Sequence, residues 1–144
     1  MIAWAKFVAW WNRRAHQGPI HLQRGRIGEE AAQRYLRRSG LKFLLANYRT
    51  RRGEIDLIFR DRDCLVFVEV KTRSNEEWTR PAAAVNAEKR RRLSRTAFDY
   101  LRELKKPRLK FRFDVVEVLL EDGRVREIRH LPNTFPLSAP YRYD

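Results

Sequence analysis

Two neighbouring stretches decide how this chain reads: Gly53-Glu54-Ile55-Asp56-Leu57-Ile58-Phe59-Arg60 and Cys64-Leu65-Val66-Phe67-Val68-Glu69-Val70-Lys71. Each alternates or runs apolar over a strand's length, and residues 61–63 between them are polar enough to turn the chain. The second stretch puts Leu65 and Phe67 on one face and Val66, Val68 and Val70 on the other. A strand apolar on both faces belongs in the middle of a sheet covered on each side. Its run then gives way to Glu69 and Lys71, two residues apart and on one face. If the two strands pair as a hairpin, Asp56 approaches Glu69 at one lip of the sheet.

Working outward, the sequence predicts a helix over 25–39, where Ile27, Ala31, Tyr35 and Leu36 recur at helical spacing and Gly40 follows as a stop. A first strand is expected over 41–48, with a basic turn at Arg49, Arg51 and Arg52. After a polar loop over 72–80, a second helix is expected over 81–104, its buried stripe formed by Val85, Leu93, Ala97, Tyr100, Leu101 and Leu104. A fourth strand is read over 111–120, a tight turn at Asp122-Gly123, and an edge strand over 125–130. The expected class is therefore α/β, a central mixed β-sheet flanked by helices. Its organisation is an N-terminal arm over 1–23, read as frayed chain first and a short amphipathic helix as the alternative, one domain over 24–131, and an irregular tail over 132–144.

Composition narrows the function. The chain has 144 residues, and 43% of them are hydrophobic, too many for a wholly disordered chain. One cysteine, Cys64, excludes an internal disulfide and a cysteine zinc cluster, and reads as a reducing, cytoplasmic setting. No apolar run approaches the roughly 20 residues of a membrane span, so no stable span is expected. The 32 Lys plus Arg against 18 Asp plus Glu leave a net charge of +14, which implies an anionic partner, nucleic acid first among them. Residues 85–110 alone supply half of that charge. The excess of Arg over Lys also fits a genome-composition bias, so charge by itself does not assign the partner.

Two carboxylates held close at a partly covered site raise each other's pKa unless something compensates. A divalent cation is the natural compensation, and hard oxygen ligands suit Mg²⁺ or Mn²⁺. Lys71 beside them could orient water or stabilise charge developing on phosphorus. A Glu-Val-Lys run alone is most simply a solvated pair worth at most about 1 kcal/mol. The upstream Asp56, the doubly apolar strand and the basic surroundings together favour a site.

These motifs, with Gly25-Arg26-Ile27-Gly28-Glu29-Glu30-Ala31-Ala32, Asn47-Tyr48-Arg49, Phe67-Val68-Glu69-Val70-Lys71-Thr72-Arg73 and Arg112-Phe113-Asp114-Val115-Val116, resemble the YraN-like bacterial family. That family is similar to the PD-(D/E)XK nuclease superfamily and, more distantly, to archaeal Holliday junction resolvases. The resemblance covers residues 24–118. It implies a restriction-endonuclease-like fold in which Asp56, Glu69 and Lys71 occupy the catalytic signature and Glu29 matches the first-helix acid. It further implies metal ligation by Asp56, Glu69 and the backbone carbonyl of Val70. Asp56 follows Ile55 instead of the superfamily's proline, and Thr79 stands where glycine is expected.

The expected function is metal-dependent hydrolysis of DNA phosphodiester bonds, with branched DNA as a structure-selective substrate. The alternative is a non-catalytic nucleic-acid-binding module on a nuclease scaffold. Arg49, Arg51, Arg52, Arg73, Lys89, Arg90, Arg91, Arg92 and Arg95 are the candidate phosphate contacts, against the default of a solvated helix face. A homodimer would provide two sites for two strands, but no apolar patch identifies its interface. Trp4, Trp10 and Trp11 in the arm suit a partner groove or membrane surface. His16, His21 and His130 are too scattered for a histidine metal site.

Overall fold

The doubly apolar strand sits where its pattern requires, third of five. The architecture is that of a computed structural model in which residues 20–74, 85–105 and 108–136 are described, the side chains of 20–22 excepted. The elements are α1 (Ile20–Arg38), β1 (Lys42–Thr50), β2 (Gly53–Asp61), β3 (Cys64–Arg73), α2 (Ala87–Glu103), β4 (Phe111–Glu121) and β5 (Arg124–Phe135). They form one mixed sheet in the order β1-β2-β3-β4-β5. Pairing is antiparallel except between β3 and β4, which run parallel. A parallel neighbour needs a crossover long enough to return the chain, and α2 lies in it.

The two faces of β3 nucleate two cores. On one side Ala31, Ala32 and Leu36 of α1 pack against Leu57, Phe59, Val66, Val68, Val116 and Val118. On the other, Leu93, Ala97 and Leu101 of α2 cover Ile55, Ile58, Leu65, Phe67, Phe113 and Val115. Fully buried side chains such as Phe67 and Leu101 stabilise the fold by roughly 1.5–3 kcal/mol each. The α1 contact is close: a Cβ on Gly28 would stand 1.9 Å from the Thr72 hydroxyl oxygen. Only glycine fits there.

Several expectations are corrected. Helix α1 begins at Ile20, so the boundary placed at residue 24 falls inside a helix. Helix α2 begins at Ala87, where the Asn86 side chain caps it by accepting from the Lys89 amide. Val85 is buried from the segment before that cap, and Leu104, expected on the buried stripe, is 40% exposed at the helix end. Strand β5 continues through Pro132 to Phe135, where irregular chain was expected from residue 132. Pro132 is tolerated because β5 is an edge strand, which need not donate on its open side. Phe135 is the reason to continue: it is buried and stacks on Phe113 at 4.7 Å. Most of the expected N-terminal arm, the proposed helix start at Pro81, Thr79 and residues 137–144 lie outside the described residues.

Candidate active site

The site forms where β2 and β3 part. Their described ladder begins at the pair Leu57↔Val68, and the same register carried one residue on sets Asp56 opposite Glu69. There the Val70 amide, beyond the last backbone pair, donates to Asp56 Oδ2 at 2.8 Å. The carboxylate thus takes a place that a strand carbonyl would fill in an unbroken sheet. Beside the break, β1 is irregular too. Asn47 holds a left-handed backbone (φ 52°), between the pairs Ala46↔Leu57 and Tyr48↔Ile55. Across it the alternation reverses: Tyr48 and Ile55 pack on the α2 side, Ala46 and Leu57 on the α1 side.

Glu69 follows Leu65 and Phe67 onto the α2 face and is 4% exposed. Its Oε1 lies 3.4 Å from Lys71 Nζ and 2.5 Å from Lys89 Nζ, the latter reaching down from the first turn of α2. Burial pushes the Asp56 carboxyl well above the ordinary range, and the charges of Glu69 and Glu29 push it the same way. The Val70 amide and Lys89 oppose that rise without cancelling it. Glu29 of α1 is raised to about 7 by burial, then by Glu54 and Glu69, against Arg26. Burial lowers Lys71, with Glu69 opposing. For Lys89 burial also acts downward, but hydrogen bonding to and the charge of Glu69 prevail and raise it.

Glu29, Asp56, Glu69 and Lys71, separated by up to 42 positions, are therefore brought into one electrostatic unit. Beside it a cavity of about 500 Å³ is lined by Arg24, Glu29, Val70, Thr72 and Arg73 among others. Among the described residues no three His, Cys, Asp or Glu side chains close into a ready-made cage. The donor set nevertheless fits Mg²⁺ or Mn²⁺, which take one or two protein carboxylates and complete their shells with water and phosphate oxygens. The charges of Glu69 and Glu29, which add to burial in raising Asp56, are the negative charge that such an ion would relieve.

The basic residues divide by what they touch. Lys89 belongs to the acidic cluster. Arg52 is bound to Asp99, with Nη2 at 2.7 Å from Oδ1, and also donates to the Arg95 carbonyl. Arg90 donates to the Val85 carbonyl and lies 5.4 Å over the Phe135 ring. Arg49 pairs with Glu54, and Arg92 with Glu88. Arg51 and Arg91 are exposed, Arg73 is half-buried at the cavity, and no ion pair to these three is formed among the described residues. Arg95 has its Nε buried without a hydrogen-bond partner. Asp114 is fully buried and held by Arg112, His130 and the Asn133 amide.

One acid escaped the sequence reading. Glu117 is 3% exposed, stands beside Lys71 in the parallel register, and its Oε1 has no hydrogen-bond partner. The available signal was a lone carboxylate inside the apolar run Val115-Val116-Glu117-Val118-Leu119-Leu120.

A mixed sheet covered on both faces, with its acids and lysine gathered where two strands diverge, is a restriction-endonuclease-like α/β protein. Within that class the chain belongs to the uncharacterised protein family UPF0102, the YraN-like family, whose model matches residues 28–118. A UPF0102 protein of Pelotomaculum thermopropionicum is 44% identical over 112 residues, covering 77% of this chain and 93% of the relative. Another, of Syntrophotalea carbinolica, is 45% identical over 118 residues, covering 82% and 95%. A third, of Rhodococcus opacus, is 41% identical over 115 residues, covering 80% and 98%. These names carry no activity, so the chemistry rests on the site itself.

Proposed function

We propose that this protein is a Mg²⁺- or Mn²⁺-dependent nuclease that hydrolyses DNA phosphodiester bonds, with branched DNA as its preferred substrate class. The observation that carries the reading is the Asp56 carboxylate bonded to the Val70 amide, in register with the buried Glu69 and beside Lys71. Asp56, Glu69 and the Val70 carbonyl would hold the cation. Bound there, the ion would supply acidification of water and an offset for the charge of phosphoryl transfer. Lys71, with its proton loosened by burial, orients the attacking water and faces the charge gathering on phosphorus. Glu29, raised to about 7, exchanges a proton in the neutral range. The net charge of +14 draws the polyanion in, and contacts to phosphate position it without reading bases.

The test is cleavage of labelled single-stranded, duplex, flap and four-way-junction DNAs with Mg²⁺, Mn²⁺ or EDTA. Metal-dependent cutting by the wild type, lost on Asp56→Ala and Glu69→Ala with folding and binding retained, is expected. Cutting that survives either substitution sinks the reading. One observation favours a second reading, a non-catalytic nucleic-acid-binding module: two ammonium groups already neutralise Glu69. Binding to the panel with no cutting in any metal would select it.

A further inference from the structure

Lys89 is fixed in the first turn of α2, where its own amide is bound by the Asn86 side chain at 2.9 Å. From that anchor its flexible four-carbon stem carries the ammonium to Glu69 Oε1, the same oxygen that Lys71 approaches. One carboxylate oxygen cannot serve two ammonium groups and a divalent ion at once, because the three cations repel at contact distance. The two lysines differ in freedom to leave. The Lys71 side chain is 22% exposed on the central strand, whereas that of Lys89 is 38% exposed on a helix that also carries the exposed Arg91 two positions on.

We propose that Lys89 is a built-in competitor for the divalent cation at Glu69, displaced from it when the ion binds and thereby delivered to a backbone phosphate of the substrate. The inference rests on the metal-site reading above and goes beyond it, since it makes metal and nucleic acid bind with positive coupling. Coupling of this kind is reciprocal: each ligand tightens the other by the same factor. Lys89 is then a positioning residue, acting on the metal through Glu69 and on the substrate by direct charge.

The experiment titrates Mn²⁺ into the full chain and reads free Mn²⁺ by electron paramagnetic resonance. A second arm measures anisotropy of a labelled four-way junction in EDTA and in Ca²⁺. Lys89→Met and Lys89→Gln are compared with Lys110→Met, an exposed charge at the far end of β3, where the Lys110 carbonyl bonds the Leu65 amide. Both Lys89 variants are expected to bind Mn²⁺ about tenfold more tightly than the wild type, and Lys110→Met to match the wild type. Ca²⁺ is expected to tighten the junction on the wild type by a similar factor and to lose that effect in both Lys89 variants. Unchanged or weaker Mn²⁺ binding in those variants, with Glu69→Gln still abolishing it, overturns the inference and leaves the metal site standing. Mn²⁺ binding that is indifferent to Glu69→Gln overturns both.

Discussion

Glu29 gives the most direct check at the scale of one residue. Its carboxyl keeps a proton to about 7 in the folded protein, whereas the unfolded chain releases it near 4.5. Between those values folding takes up a proton, so this group's stabilising contribution is complete below about 4.5 and is lost as pH rises to 7. The loss amounts to about 3 kcal/mol at most. Asp56 acts in the same direction. Urea denaturation in EDTA is expected to show lower stability at pH 8 than at pH 5, and Glu29→Gln to flatten that slope and raise stability at pH 8. A slope that Glu29→Gln leaves untouched would count against the buried acid cluster. Asp99 has the opposite sign. Arg52 hydrogen bonding, against burial and with Thr50 and Arg102, holds it down to about 2, so its contribution is present above 3.8 and lost as pH falls toward 2.

Elements meet at two points that substitutions can probe. At the α1–β3 contact, Gly28→Ala adds a Cβ 1.9 Å from the Thr72 oxygen, a clash that outweighs alanine's better helix propensity. A loss of about 1–3 kcal/mol is expected by chemical denaturation. Adding Thr72→Ala should recover part of it, since the Oγ is the closest atom; strict additivity would mean the two side chains do not meet. The neighbouring Glu29 should shift with the helix, so Gly28→Ala is also expected to lower cleavage. At the β1–β2 turn, Asp99 of α2 accepts from Thr50, Arg52 and Arg102, clamping the turn to the helix. Asp99→Ala is expected to cost about 2 kcal/mol, read as a lower denaturation midpoint.

At the scale of the whole molecule, the charge of +14 matters through its distribution. Much of the basic set is internally engaged, as Arg52, Arg90 and Arg92 are, so the proposed function would draw its duplex contacts from Arg51, Arg73, Arg91 and, once displaced from Glu69, Lys89. Four phosphates neutralised would give a fall in DNA affinity of roughly 150-fold between about 50 and 200 mM salt. Arg51→Ala should reduce the logarithmic slope by about one, whereas a flat salt response would remove the electrostatic interface.

Periodicity alone made the sheet legible. Leu65 to Val68 announced a strand covered on both faces, and local apolar spacing located α1 and most of α2, because strand and helix periods are properties of neighbouring residues. The order of Asp56, Glu69 and Lys71 along the chain likewise marked the candidate site, since one hairpin register suffices to bring the acids together. The start of α2 was less legible, because the Asn86 cap decided it and residues 81–85 share the composition of a helix. Continuation of β5 past Pro132 depended on a partner, Phe113, that lies 22 residues away. Lys89 read as one more cation on a charged helix face, and only packing of α2 on the sheet put its ammonium against Glu69. The sequence by itself determined the order and type of the elements, though not every boundary, and which acids share a hairpin, through spacing that each segment carries locally. The tertiary structure decided the reversal at Asn47, the burial of Glu117 and the sorting of basic side chains, because each depends on distances between segments remote in the chain.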